Sequence, residues 1–277
     1  MKFNNLEDRM LYYRSLTDYK LIPNSYVIIM LDGRAFSHSI KKIFKKPFDD
    51  NFINIMNETA LYLCNKIQGC KFAYVQSDEI SLVITDFDTP ETASFFNYRL
   101  EKIISICASL AASKFNQLFM IYSILHNNNI SKENIVNIIS KTKLFEFDCK
   151  AWNVPNFNDV YAWVLYRQND CIKNSKNQTA QAYLSHNFLV SLTSDQQIEL
   201  LKKEKGIDWE AINNDKKYGR FIYKEPVKMV SEKYGEFIRN KFITHDGYLL
   251  NNESNKNKFI IEIFHPISSD ILENKND

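Results

Sequence analysis

The spacing of apolar positions along this 277-residue chain alternates between two periods. "YVIIML", Tyr26 to Leu31, is a continuous apolar run that stops at Asp32-Gly33-Arg34, the pattern of a buried strand entering a turn. From Asp49 to Gln68 the residues Phe52, Met56, Ala60, Leu63 and Ile67 recur every three or four positions, which predicts one face of a helix with Gly69 as its terminator. Phe72–Gln76 and Ile80–Thr85 are apolar runs joined by Ser77-Asp78-Glu79, a hairpin with an acidic turn. Thr89-Pro90-Glu91 carries the signals of a helix start, and the predicted helix continues through "RLEKIISICASLAASKF". Leu144 to Trp152 alternates Phe145, Phe147 and Cys149 with Glu146, Asp148 and Lys150, as a half-exposed strand does.

The order β-α-β-β-α-β predicts an α+β fold of the ferredoxin-like, split βαβ kind. Its strand order sets the first strand beside the hairpin, so Asp32 at the end of one comes near Asp78 at the turn of the other. Beyond Asn156 the pattern turns helical. "DVYAWVLYRQNDCIKNSKNQTAQAYL" reads as one or two long helices, and Thr193-Ser194-Asp195 opens another that ends near Gly206. "GRFIYKEPVKM" and "GEFIRNKFITHDGYLL" alternate and predict a β-rich C-terminal extension. The asparagine-rich tracts "HNNNISKENIVN" and "NNESNKNK" read as loops. The pattern thus divides into a ferredoxin-like domain, 1–152, and a helical region with its β-rich extension, 153–277, packed upon it.

Composition narrows the classes. With 45% hydrophobic and 14% aromatic residues the chain has material for a core, and six glycines and six prolines exclude collagenous or linker character. No run approaches the 18 or so consecutive apolar residues of a membrane span. The N-terminus "MKFNNLEDRMLYYRSL" contains acids and lacks the apolar stretch of a secretory signal, so the expected location is cytoplasmic, with a mitochondrial one still compatible. The five cysteines are odd in number and include no C-x-x-C, so reduced, buried thiols are expected. The five histidines show no zinc-site spacing. Net charge is only +2, so nucleic-acid binding would use local patches: Lys41, Lys42, Lys45 and Lys46; Lys202, Lys203 and Lys205; Arg239 and Lys241.

The chemistry that stands out is acidic. Asp-Gly alone is a turn signal, and so is Ser-Asp-Glu. On two strands that the topology sets side by side, Asp32 and Asp78 become an oxygen-ligand site for Mg²⁺, with the Gly33 carbonyl as an extra ligand and Glu79 as a ligand or its support. Two such ions about 3.5–4 Å apart clamp the attacking and leaving oxygens of a phosphoryl transfer. Arg99 and Lys102, three apart on the second helix, share a face and supply cations for a triphosphate; on this reading that face points across the sheet edge toward the metals.

"LDGRAFSHSIKKIFKKPFDDNFINIMNETALYLC", "FAYVQSDEISLVI", "RLEKIISICASLAASKFN", "YAWVLYRQNDCIKNS" and "SHNFLVSLTSDQQIELLKKEKGIDWEAINNDKKYGRFIYKE" together resemble the tRNA(His) guanylyltransferase superfamily, in order and across roughly residues 5–225. The resemblance implies a polymerase-type palm, usually in a homotetramer without a membrane, that adds nucleotides in the 3′–5′ direction to the 5′ end of tRNA. It implies two Mg²⁺ ions on Asp32, the Gly33 carbonyl and Asp78, with Glu79 completing the acidic set, and ATP, GTP and other nucleoside triphosphates as substrates. Arg99 and Lys102 would hold triphosphate. Gly33, Arg34, Ala35, Phe36 and Ser77 would border the nucleotide, Lys46 and Asp49 would lie by the activating-nucleotide pocket, and Arg167, Asp170, Lys173 and Asn174 would face RNA.

One departure selects among branches. Members that add a single G to histidine tRNA continue their Asp-Cys with H-I-N-N-L-Y-N, whereas Asp170-Cys171 here is followed by Ile172-Lys173-Asn174-Ser175-Lys176-Asn177-Gln178. Ile172 and Asn177 replace the histidine and tyrosine. This version resembles the guanylyltransferase-like branch that repairs incomplete tRNA 5′ ends by template-directed addition. Addition of G to full-length histidine tRNA, a nucleotide cyclase, and a tRNA-binding protein with an inert palm are the competing readings.

Overall fold

The sheet is built outward from β1, Tyr26–Gly33, which follows helix α1 (Leu6–Ser15) and whose apolar run is buried on both sides. A computed structural model describes residues 3–36, 43–126, 131–231 and 235–264. Strands β1, β2 (Cys70–Gln76), β3 (Glu79–Ile84), β4 (Phe147–Val154), β5 (Arg220–Ser231) and β6 (Gly235–Asp246) form one antiparallel sheet in the order β4-β1-β3-β2-β5-β6. The first four of these carry the ferredoxin-like order that the pattern predicts. The last two extend the same sheet, because β5 pairs with β2 over Phe72–Val75.

Both faces of the sheet are covered. Val27, Ile29, Leu31, Ala73, Val75 and Leu82 face helices α2 (Asp50–Lys66) and α3 (Leu100–Leu125), which bury Met56, Ala60, Leu63, Ile103, Cys107, Ala111 and Phe115 against them. Phe72, Tyr74, Val83, Phe221 and Tyr223 form the second core with Val160, Val164 and Cys171 of α5 (Phe157–Tyr183), and with Phe259 and Ile263 of a C-terminal helix, Glu253–Phe264. α5 is locked in place by Gln168, fully buried, whose amide donates to the Tyr218 and Tyr248 carbonyls and accepts from Leu250 N–H at 2.8 Å. By length and composition α3 is apolar enough to cross a membrane. Here its Phe115 and Phe119 pack on Phe145, and Phe115 packs also on Phe36 and Phe147.

Four elements differ from the pattern. Thr89-Pro90-Glu91 forms a turn, with Thr89 N–H bonded to Thr92 Oγ1, and α3 begins only at Leu100. Phe96, Asn97 and Tyr98 all have positive φ, so the chain cannot become helical before Arg99. β4 begins at Phe147 instead of Leu144, because both backbone groups of Phe145 bond to the Asn116 side chain and not to a strand. "NNESNKNK" is the first half of the C-terminal helix: Asn252 Oδ1 accepts from Asn255 N–H, and the apolar anchors Phe259 and Ile263 come later. The other asparagine-rich tract is not a loop throughout either: α4 (Lys132–Lys141) begins inside it and runs past its end, while its residues 127–130 are outside the described residues. Lys41 and Lys42 lie outside them too.

Candidate active site

Register decides which acids meet. Asp32 pairs directly with Glu79 on β3 and with Asp148 on β4, so three carboxylates share one row across the sheet. The turn holds Asp78 beside them: Gly33 N–H donates to the Asp78 carbonyl at 3.1 Å, and Ser77 Oγ donates to Asp78 Oδ1 at 2.9 Å. Ala35 (φ 57°) and Ser77 (φ 46°), one on each side of this junction, hold left-handed backbone that non-glycine residues rarely adopt. A Cβ on Gly33 would stand 2.6 Å from the Phe36 ring, so the position requires glycine. Phe36 is buried against Phe115, Phe145 and Phe147 and pins the chain that leaves β1.

Burial, and then the charges of Asp78, Glu79 and Asp148, push the Asp32 pKa up to about 6, with Arg167 acting in the opposite direction. Burial also raises Asp78 and Glu79 above the ordinary carboxylate range. Arg167, on α5, is committed elsewhere. Its guanidinium grips Glu79 through both Nε (2.7 Å) and Nη2, and its Nη1 donates to Asp170 at 2.7 Å. Its side chain is 13% exposed and that of Glu79 only 6%. Glu79 is therefore held as the carboxylate of a buried ion pair, and Asp32, Asp78 and the solvent-exposed Asp148 carry the negative charge left without a bonded cation.

That donor set fits Mg²⁺, which binds through one or two carboxylates and fills its remaining positions with substrate and water oxygens. Among the described residues no three His, Cys, Asp or Glu side chains converge as a closed metal cage. The fit rests on Asp32 and Asp78 as an open pair.

Beside the acids lies a cleft of ≈ 230 Å³. Its apolar wall is Phe36, Phe44, Phe48, Phe52 and Ile53; Gln76, Ser77 and Asp78 close one side; Cys171, Asn174, Ser175 and Gln178 of α5 form another; Lys45, Lys46, Lys216 and Arg220 supply cations. Asp49 caps α2, accepting from the N–H groups of Lys45, Asn51 and Phe52. Burial pushes its pKa up, but the three backbone donors outweigh this and hold it below the ordinary value.

The residues singled out in the sequence thus divide. Asp32, Gly33, Asp78, Glu79, Ser77 and Phe36 come together, and Lys46, Asp49 and Asn174 line the cleft. Arg34 is exposed at the rim and paired with Glu146 at 2.9 Å. Arg167 and Asp170 are tied to the acidic row, while Lys173 and Asn174 are exposed on α5. Arg99 and Lys102 are not brought to the carboxylates. The start of α3 is bonded to the segment before β1: Leu21 N–H donates to the Tyr98 carbonyl, Leu100 N–H donates to the Tyr19 carbonyl, and Arg99 pairs with Asp18 at 2.9 Å. This is the Tyr26 end of β1, and Asp32 lies at the other, roughly 20 Å of strand away. The expectation that these cations reach the metals across the sheet edge is not met within one chain.

Asp148, Gln178, Lys216 and Arg220 belong to the site without any motif that singles them out. Asp148 was legible, since it sits on the polar side of β4 and the ferredoxin order places β4 against β1. The spacing of Cys171, Asn174, Ser175 and Gln178 marks a single helix face. Arg220 heads an apolar strand, and nothing local in the sequence marks its burial.

Residues 8–155 match the family described as tRNAHis guanylyltransferase. Uncharacterized protein R259 of Acanthamoeba polyphaga mimivirus is 30% identical over 86% of this chain and 81% of its own length. The tRNA(His) guanylyltransferase of Schizosaccharomyces pombe is 27% identical over 75% of this chain and 77% of its own. A bacterial tRNA(His) guanylyltransferase-like protein, solved in complex with ATP, superposes with a TM-score of 0.76 at 30% identity, covering 94% of this chain and all of that one. A sheet, an acidic junction and a cleft of this kind, together with a family match over more than half the chain, place this protein in the tRNA(His) guanylyltransferase family of nucleotidyltransferases.

Proposed function

We propose that the protein adds nucleotides in the 3′–5′ direction to the 5′ end of tRNA, copying the opposite strand of the acceptor stem, and so repairs truncated 5′ ends. The carrying observation is the acidic pair Asp32 and Asp78 opening beside an aromatic and cationic cleft. Asp32, Asp78 and the Gly33 carbonyl would hold two Mg²⁺ ions, which when bound lower the pKa of an attacking hydroxyl and neutralise charge on the leaving group. ATP activates the tRNA 5′-monophosphate, giving a 5′-5′ adenylylated end and pyrophosphate. The 3′-hydroxyl of the incoming nucleotide then attacks the activated phosphorus, a new phosphodiester forms and AMP leaves. A 5′-triphosphate end enters at the second step. The aromatic wall of the cleft takes the base, and the Arg167–Glu79 pair keeps the acidic row rigid.

Ile172 and Asn177, standing where single-G-adding members carry histidine and tyrosine, support the repair branch. Lys173 and Asn174, exposed beside them, are the proposed RNA contacts. Because Arg99 and Lys102 lie at the far end of the sheet, we assign them to the triphosphate of a neighbouring copy's site within a homo-oligomer, for which a tetramer is the expected form.

The test offers a 5′-monophosphorylated tRNA lacking its first nucleotide, and a full-length histidine tRNA, with ATP and each nucleoside triphosphate. Restoration of the truncated tRNA with the complementary base is expected. G addition to the full-length tRNA whatever base stands opposite would replace repair by histidine-tRNA maturation. Asp32→Asn and Asp78→Asn are expected to abolish addition and leave tRNA binding within a fewfold of normal; full activity in either would remove the acidic pair from the reaction.

A further inference from the structure

The cleft contains a cation that its own surroundings do not satisfy. Arg220 begins β5 opposite Val75 of β2 and is 4% exposed. Its Nε donates to Asn57 Oδ1 on α2 at 2.9 Å, and its Nη1 donates to the Asp215 carbonyl at 3.4 Å. Its Nη2 is buried and has no hydrogen-bond partner. Burial pushes its pKa down, and Cys171, Tyr74, Asp215 and Asp246 oppose this only through space. A buried guanidinium with an idle N–H is costly, and such a group is retained where something outside the resting fold completes it.

Arg220 lines the cleft, so the missing partner can come from there. The cleft is also cationic on this side. Lys216 lines it together with Arg220 and is paired at 2.7 Å with Asp50, whose side chain is largely in solvent. Of the two acids in the lining, Asp49 spends its oxygens on backbone N–H groups, and Asp78 belongs to the acidic junction. Asp215 and Asp246 act on Arg220 only through space and no carboxylate bonds its Nη2, which favours an anionic oxygen over a neutral one as the missing acceptor. Arginine is a donor only and stays charged, so the group it meets must accept.

We infer that Arg220 is a phosphate-binding residue of the cleft, its free Nη2–H donating to a phosphate oxygen of the nucleotide held there. This rests on the reading of the cleft as a nucleotide site. The competing arrangement is internal. Asp215 Oδ1 is likewise buried without a partner, and a small side-chain rotation joining it to Arg220 would make the arginine structural.

The two arrangements differ in what the fold needs. The full chain is compared as wild type, Arg220→Met and Arg220→Lys, in EDTA, by thermal unfolding and by titration with ATP, adenosine and inorganic tripolyphosphate. Arg220→Met is expected to fold with a ligand-free Tm at or above that of wild type, because an apolar chain of similar length replaces an unpaired buried charge. Its affinity for ATP and tripolyphosphate is expected to fall about 10- to 100-fold, with adenosine unchanged. Arg220→Lys, which keeps the charge with a shorter reach, is expected to lose less, and it carries the comparison should the methionine variant not fold. ATP affinity within twofold of wild type in the folded variant, or an equal loss for adenosine and ATP, overturns the inference. A lowered Tm with unchanged affinity assigns Arg220 to the fold instead. A wild type that binds tripolyphosphate through Arg220 but neither ATP nor adenosine would preserve the anion subsite and end the nucleotide reading of the cleft.

Discussion

Arg167 and Glu79 illustrate how a single pair can organise a site without reacting in it. Two buried charges are tolerable only together, and removing one leaves the other desolvated and unpaired. Arg167→Met is therefore expected to cost about 3–5 kcal/mol in urea unfolding, and the double variant Arg167→Met/Glu79→Leu to recover most of that loss. If the double variant is no more stable than the single one, the pair is not what holds α5 to the acidic row. Asp49 gives the opposite sign of pH behaviour from Asp32. Its pKa is held below the ordinary carboxylate value when folded, so its contribution is complete above that ordinary value and is lost as pH falls through the folded one. Asp49→Ala is expected to cost about 1–2 kcal/mol at pH 7. The gap from wild type should be unchanged at pH 5 and should narrow by pH 3, whereas Asp49→Asn, which keeps the oxygen that caps Asn51 and Phe52 but sets an amide donor against Lys45 N–H, should lose an intermediate amount.

At the scale of elements, two glycines past helix ends look alike in sequence and differ in their surroundings. Gly69 (φ +76°) follows α2, and Gly206 (φ +67°) caps Ser194–Lys205. A Cβ at Gly69 would stand 2.2 Å from the Thr85 carbonyl oxygen, while one at Gly206 would meet nothing within 4 Å. Gly206→Ala should thus cost only the left-handed strain, about 1 kcal/mol, and Gly69→Ala about 2–4 kcal/mol, read from chemical denaturation. Equal losses would mean that the Gly69 contact relaxes. The same contrast explains what was legible beforehand. Period and punctuation predicted β1, α2, the hairpin, α5 and the Thr193 to Gly206 helix, and the split βαβ order brought Asp32 to Asp78, because these follow from local pattern and a stereotyped topology. Leu144–Glu146 alternates properly yet pairs with Asn116, Pro90 signals a helix that a run of positive φ postpones, and "NNESNKNK" hides a helix whose anchors lie beyond it. The Arg167–Glu79 pair and the buried Arg220 depend on how α5 and β5 are phased against the sheet, which no local signal encodes.

At the scale of the whole molecule, the acids and the cations proposed to serve one triphosphate stand at opposite ends of β1. Arg99 and Lys102 head the α3 that runs back along the sheet to Phe36, so no local shift brings them to Asp32. If they bind the triphosphate, they do so in another copy, and the two halves of the site are separable by mutation. Asp32→Asn and Arg99→Ala/Lys102→Ala are each expected to be inactive alone. Mixed and reassembled, each pairing of unlike subunits contains one site with intact acids from one copy and intact cations from the other. A 1:1 mixture should then recover about a quarter of wild-type addition if sites are shared in pairs. A mixture as inactive as its components would place both halves in one chain, against the geometry of α3. Full activity of the Arg99→Ala/Lys102→Ala protein by itself would remove these cations from the reaction and leave the cleft's own lysines and Arg220 to hold the phosphates.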